Sequence, residues 1–222
     1  KSSDFDKYYH YKVSVQSPEF EAEFLIKTFA EIRGYLPKRC REDFCGTFAL
    51  SCEVAKLDKM QSLLPELEIN GIDIDPEPLA YGHKNYLSQL TDVQQKVITT
   101  SEMNVLTAKL PSSQLVYALN FSYFIFKERS VLKQYFQNIY DSLEKDGVLI
   151  LDCFGGSECY EANEEETEHE DEGFSYFWDQ DNFNPINNNA QYYIHFQREG
   201  EAKREKVFSY DSKLDAMDQV WQ

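Results

Sequence analysis

From Arg39 to Asp152 the chain alternates short apolar runs with stretches of helical spacing, and no other feature constrains its fold as strongly. Parallel strands cannot be joined by tight turns, so each needs a crossover about a dozen residues long, usually a helix. Strands are therefore expected near 39–44, 67–73, 97–101, 114–120 and 148–152, with helices over 48–57, from Pro76, and over 131–143. The first strand is unusually charged, Arg39-Cys40-Arg41-Glu42-Asp43-Phe44, and is placed by the Cys45-Gly46-Thr47 turn and the helical stretch behind it. The strongest helical face carries Val131, Leu132, Tyr135, Phe136, Ile139, Tyr140 and Leu143, and Asp146-Gly147 ends it.

Two flanking regions differ in character. Ser17-Pro18 followed by Glu19 and Glu21 predicts a helix start capped by the Ser17 side chain, with Phe20, Phe24, Ile32 and the 28/29 position on its apolar face and Gly34 at its end. Ahead of it lies an aromatic arm with Tyr8, Tyr9 and Tyr11. Past Gly155-Gly156, the stretch from Glu158 to Glu172 has no Lys or Arg, which predicts a solvated, mobile loop. The runs QYYIHF and KVFSYD around Gly200 then predict a β-hairpin. The expected organisation is one domain over 1–222: an N-terminal arm and helix (1–38), a core (39–156), an acidic loop and hairpin insertion (157–211), and a C-terminal segment (212–222).

Composition narrows the function classes. Five cysteines without a CxxC pair fit neither a disulfide framework nor a zinc site, and no metal is expected. A formal charge of −17 repels phosphate backbones, so a small molecule is expected as partner rather than nucleic acid. No apolar run reaches the roughly 20 residues needed to span a bilayer, and the start KSSDFDKYYH lacks the apolar core of a signal peptide. A cytoplasmic protein away from the membrane is the expectation.

In a doubly wound sheet, ligands bind where the loops leave the carboxyl ends of the strands. The first of these loops reads Glu42-Asp43-Phe44-Cys45-Gly46-Thr47-Phe48, an acid with a glycine four residues on. A dinucleotide site would need GxGxxG, and only one of those glycines is present. Here the sequence resembles the class I S-adenosylmethionine (SAM) dependent methyltransferases, whose first motif is an acid followed by glycines at alternate positions. Glu42 matches the acid and Gly46 the central glycine, while Phe44 and Phe48 stand where the outer two would be. The resemblance continues in order for more than a hundred residues. YHYKVSVQSPE, EDFCGT, ALNFSY and LDCFGG together look like a bacterial branch of unassigned substrate.

What that resemblance implies is a Rossmann-like domain binding SAM through Glu42, Phe44, Cys45 and Gly46 after strand one and Asp73 and Ile74 after strand two. Glu102 and Met103 would contact adenine, and Asn120 and Phe121 would line the site after strand four. Asp73 would hold the ribose hydroxyls, whereas Asp75, directly before Pro76, is placed to cap the next helix. Aromatic faces at Tyr11, Tyr123, Tyr176 and Trp178 would suit the apolar body or positive charge of a small acceptor. No catalytic base stands out. Two further strands are also implied, and since only Leu214 to Gln222 follow the hairpin, they are expected beyond the C-terminus. A SAM-binding module without transferase activity and a nucleotide-binding oxidoreductase remain the alternatives.

Overall fold

The computed structural model describes residues 4–107 and 109–214. Five parallel strands, β1 (Arg39–Asp43), β2 (Glu68–Asp73), β3 (Ile98–Glu102), β4 (Ser113–Ala118) and β5 (Leu143–Leu151), lie in the order β3-β2-β1-β4-β5. This is the expected Rossmann-like doubly wound sheet. Its strand order reverses between β1 and β4, which makes that junction the topological switch point.

The charged first strand is explained by its alternation. Arg41 and Asp43 are two residues apart and so lie on one face of the sheet, where both are fully buried. Arg41 Nε donates to Asp43 Oδ1 at 2.8 Å, and its Nη1 donates at 2.8 Å to both Pro111 O and Ser142 Oγ. The Tyr135 hydroxyl completes the set by donating to Asp43 Oδ2 at 3.1 Å. A buried ion pair is tolerable only when its remaining donors and acceptors are met in this way. Arg39, nearer the end of the strand, pairs with Glu144.

Helices pack against this sheet. α2 (Pro18–Arg33), preceded by α1 (Lys7–Val15), which belongs with the second sheet below, comes first, and α3 (Ala49–Lys56) and the single turn α4 (Asp58–Gln61) follow β1. α5 (Pro76–Asn85) and α6 (Asp92–Lys96) join β2 to β3, and α7 (Arg129–Ser142) precedes β5. The core gathers Leu25, Ile26 and Phe29 from α2, Val54 and Ala55 from α3, and Cys40, Ile69, Ile98, Leu115 and Tyr117 from the strands.

Several expectations are corrected here. α2 buries Ala22, Leu25, Ile26 and Phe29, while Phe20 (73% exposed), Phe24 and Ile32 face outward. Two apolar stripes run along this helix, and the slimmer one reaches the sheet. The Ser17 side chain makes no cap; the Glu21 carboxylate instead reaches back to the Ser17 N–H at 3.3 Å. Tyr140 on α7 is exposed. The tyrosine arm is helix α1, capped by Asp6, whose carboxylate accepts from the N–H groups of Tyr8 and Tyr9 at 3.1 and 3.0 Å.

A second sheet is antiparallel, with β6 (Asn163–His169), β7 (Phe174–Asn184), β8 (Asn189–Arg198) and β9 (Arg204–Lys213) in sequential order. β8 and β9 are the expected hairpin, with Gly200 in the turn at φ +74. The acidic stretch is not simply a loop. Its centre is edge strand β6, paired residue for residue with β7 and exposed on both faces, so the chain pairs its backbone while keeping its charges in water. Phe174, Ile194 and Phe196 form the aromatic centre of this sheet, joined by Tyr11, Val13 and Val15 of α1 and by Tyr176, Trp178, Phe208 and Tyr210.

The described residues cluster into two compact units, one of 17–122 and 133–152 around the parallel sheet, the other of 4–16, 123–132 and 153–214 around the antiparallel sheet. None of the described helices is long and apolar enough to cross a membrane. Most of the C-terminal segment, residues 215–222, lies outside the described residues.

Candidate functional site

At the carboxyl edge of the parallel sheet, β1 runs into a loop whose backbone is left-handed at alternate residues: Phe44 at φ +58, Gly46 at φ +51 and Phe48 at φ +45. Phenylalanine rarely adopts such angles, which cost a non-glycine residue roughly 1–2 kcal/mol each. The alternate-glycine backbone is therefore present although two of its glycines are not. Packing holds it in place: Phe48 is buried with its ring edge-on to His83 at 5.1 Å, and Phe44 meets the Tyr135 ring at 5.5 Å. Gly82 of α5 lets the helix close onto the loop, since a Cβ there would stand 2.1 Å from Thr47 O.

Asp73, at the end of β2, braces the loop. Its Oδ2 accepts the Gly46 N–H at 2.7 Å and its Oδ1 accepts the Asp75 N–H at 2.9 Å. Asp75 caps α5 as expected, accepting the Glu77 N–H at 2.9 Å. Cys45 N–H bonds to Ile72 O at 2.9 Å and Met103 N–H to Asp73 O at 2.8 Å, so the loops after β1, β2 and β3 are tied in sequence. Glu102 lies opposite Asp73 in the strand register. Ile74, 65% exposed, offers an apolar surface beside these polar groups. After β4, Asn120 and Phe121 are both left-handed, at φ +55 and +40, and the Phe121 N–H donates to Asp152 Oδ1 at 2.6 Å. Every residue expected at the cofactor site thus sits at the carboxyl end of one of β1 to β4.

Electrostatically this edge is acidic, and part of its acid is buried. Glu42 is only 8% exposed, and its Oε2 accepts from the Ser51 N–H at 3.1 Å and the Ser51 hydroxyl. Burial pushes its pKa from the ordinary 4.5 to about 8, against the pull of the Ser51 bonds and with help from the charges of Glu21 and Asp73. Burial also raises Glu21 and Asp152, each in spite of backbone hydrogen bonds to its carboxylate. Neither Glu21 nor Asp152 is among the residues expected to bind the cofactor, although Asp152 lies in the LDCFGG run. Glu21 had a sufficient explanation as a helix-dipole acid, but Asp152, ending a strand in the same way as Asp73, carried a signal that could have been used.

The expected acceptor residues all lie in the antiparallel unit. Tyr11, Tyr176 and Trp178 meet in its aromatic cluster, and Tyr123 is buried in a short 3-10 turn against Phe124.

Glu164, Asp179 and His195 of the antiparallel sheet also converge closely enough to hold a cation. Their existing hydrogen bonds and ion pair oppose it. His195 Nδ1 accepts the Lys206 N–H at 2.7 Å, so the neutral ring carries its proton on Nε2, the nitrogen that faces Asp179 Oδ2 at 3.1 Å. The Lys203 ammonium already occupies Glu164 at 2.6 Å.

No protein-family model matches the sequence, and no curated protein matches it. Solved structures match the fold over nearly the whole chain. A S-adenosylmethionine-dependent methyltransferase from Clostridium acetobutylicum ATCC 824 is 17% identical with a TM-score of 0.69, covering 97% of this chain and 85% of that one. SAM-bound CalS10, an amino pentose methyltransferase from Micromonospora echinaspora, is 15% identical with a TM-score of 0.69 over 99% and 88% of the two chains. Streptomyces venezuelae DesVI is 13% identical with a TM-score of 0.72 over 99% and 88%. At such identities the likeness establishes the shared architecture.

Proposed function

We propose that this chain is a SAM-dependent methyltransferase acting on a small-molecule acceptor, and that its two compact units serve as one catalytic domain. The observation that carries this is the loop after β1, left-handed at three alternate residues and braced on Asp73. A protein bears such strain where the backbone must be held open to a ligand.

SAM supplies a methyl group already activated on a sulfonium. The residues present fit it. The carboxyls of Glu42, nearly buried, and of Glu21 and Asp152, partly buried, would suit a cationic donor, and Ile74 and Met103 would offer apolar contact to a base. Each Asp73 oxygen keeps a second lone pair beyond its backbone bond, enough for the two hydroxyls of a ribose. The chain's contribution to rate would then be alignment and exclusion of water. The amino pentose methyltransferase among the similar structures is consistent with a small acceptor. Tyr11, Tyr123, Tyr176 and Trp178 are the residues we assign to it.

Calorimetric titration with SAM tests the cofactor assignment. Asp73→Ala is expected to weaken binding by about 1.5–3 kcal/mol, the range for hydrogen bonds to a charged group, and to lower the melting temperature as well, because it releases the Gly46 and Asp75 N–H groups. Asp75→Ala should cost about 1 kcal/mol of stability through loss of the cap and leave affinity intact. Equal affinities in Asp73→Ala and parent would remove the ribose role, and a parent that binds neither SAM nor S-adenosylhomocysteine would remove the methyltransferase reading itself.

A further inference from the structure

Within the antiparallel unit, directly after the Gly155-Gly156 pair, lies a cavity of about 310 Å³ whose walls have an unusual chemistry. Phe154 and Trp178 line it, and Tyr192 backs both rings: Trp178 stacks on Tyr192 at 5.0 Å and 18°, while Phe154 stands edge-on to Tyr192 at 5.8 Å and to Trp178 at 5.9 Å. The polar part of the lining is made largely of acceptors. Glu158 and Glu165 contribute carboxylates, and Glu165 sits directly opposite Trp178 in the strand register.

Gln180, only 7% exposed, adds an amide whose Nε2 reaches Glu158 O at 3.5 Å and whose Oε1 has no partner among the described residues. The Tyr192 hydroxyl behind it, in register with Gln180, is likewise buried without a partner. Among the described residues, no Lys, Arg or His lines the cavity.

A buried acceptor left unsatisfied asks for a donor. Two carboxylates ask for positive charge, and aromatic faces favour a cation that is weakly hydrated. An anion would be repelled by Glu158 and Glu165. A hard metal ion would want six or more oxygens, which the aromatic walls do not supply. Cys159, also in the lining, offers no thiolate, because burial and the Glu158 charge hold its thiol above the ordinary 9.0. An organic ammonium meets every requirement at once.

We infer that this cavity seats a cationic amine, carried by the methyl acceptor whichever atom takes the methyl group. The acceptor role rests on the methyltransferase reading above; the amine chemistry rests on the cavity.

The chain holds two tryptophans, Trp178 and Trp221. In a Trp221→Phe background the indole fluorescence therefore reports the cavity wall alone. Titration with butylammonium should shift that signal saturably, and butan-1-ol, of the same shape without the charge, should bind about tenfold more weakly. Glu165→Gln should weaken butylammonium severalfold, while Glu166→Gln, one residue along the exposed strand and outside the cavity, should not. S-adenosylhomocysteine binding is measured on the same samples. Equal responses to the amine and the alcohol, or equal losses in the two glutamate variants, would overturn the cation site and leave the methyltransferase reading untouched if S-adenosylhomocysteine still binds. Amine selectivity without any S-adenosylhomocysteine binding would overturn the acceptor role and uphold the cation site.

Discussion

The two sheets treat their buried polar atoms differently. In the parallel-sheet unit Arg41, Asp43, Tyr135 and Ser142 satisfy one another beneath β1, and Glu42 is held by Ser51. In the antiparallel unit, Ser14 Oγ, His169 Nε2, Gln180 Oε1 and the Tyr192 hydroxyl are buried with no partner among the described residues; in the parallel-sheet unit Arg33 Nε is unpartnered too, though its Nη2 donates to Gly147 O at 3.3 Å. Charge buried for the sake of the fold has its partners within the fold. Polar atoms buried without partners weaken a sheet that could have been wholly apolar there, so their presence points to a requirement other than stability.

The sharpest way to break this contrast is to remove one member of the paired network. Arg41→Ala leaves Asp43 charged, buried and short of its partner, and is expected to cost about 3–5 kcal/mol in chemical denaturation. A loss under 1 kcal/mol would mean that the network is incidental. Two tyrosine hydroxyls then compare the sheets directly. Tyr135→Phe removes a donor to a carboxylate and should cost about 1.5–3 kcal/mol, whereas Tyr192→Phe removes an unpartnered hydroxyl and should fall within about 0.5 kcal/mol of the parent or above it. Equal costs would erase the distinction.

The smallest effect is expected at Glu42 below pH 4.5, where Glu42→Gln should lie within about 1 kcal/mol of the parent, since the carboxyl is then protonated in both folded and unfolded states and the amide oxygen can keep the Ser51 bonds. Its signature is the pH dependence. A folded pKa of about 8 above an unfolded 4.5 gives stability that is fully present below pH 4.5 and is lost as pH rises through 8. Thermal melts of the parent should carry that loss and those of the variant should lack it. Affinity for SAM should run the other way in the parent, rising toward pH 8 as the carboxylate ionises, and should be flatter in the variant.

The order of βα units was legible because crossover helices and apolar strands leave different periods in the sequence. Asp73 and Asp75 were separable because one ends a strand and the other precedes a proline. The face of α2 was not legible: Phe20, Phe24 and Ile32 keep helical spacing as faithfully as Leu25, Ile26 and Phe29, and only the tertiary structure decides which stripe meets the sheet. Strand β6 was hidden by its charge, because pairing of its backbone depends on β7 and not on its own side chains. Phe44 and Phe48 were hardest of all. Their left-handed angles are imposed by surroundings such as the Gly82 contact, and no local propensity would assign them.

The division of the chain has a consequence for its synthesis. The last strand of the parallel unit ends at Leu151, so that unit can close once Leu151 has left the ribosome, before the antiparallel sheet is made. Helix α1 is made well before its partners in the antiparallel sheet: the Tyr9 hydroxyl bonds to Glu172, 163 residues later. Nine residues are too few for an isolated helix to persist in water, where about 12–15 are marginal. The nascent α1 therefore waits without its aromatic partners while the parallel unit is made, and the antiparallel unit, built from three separate stretches of sequence, is the slower of the two to close.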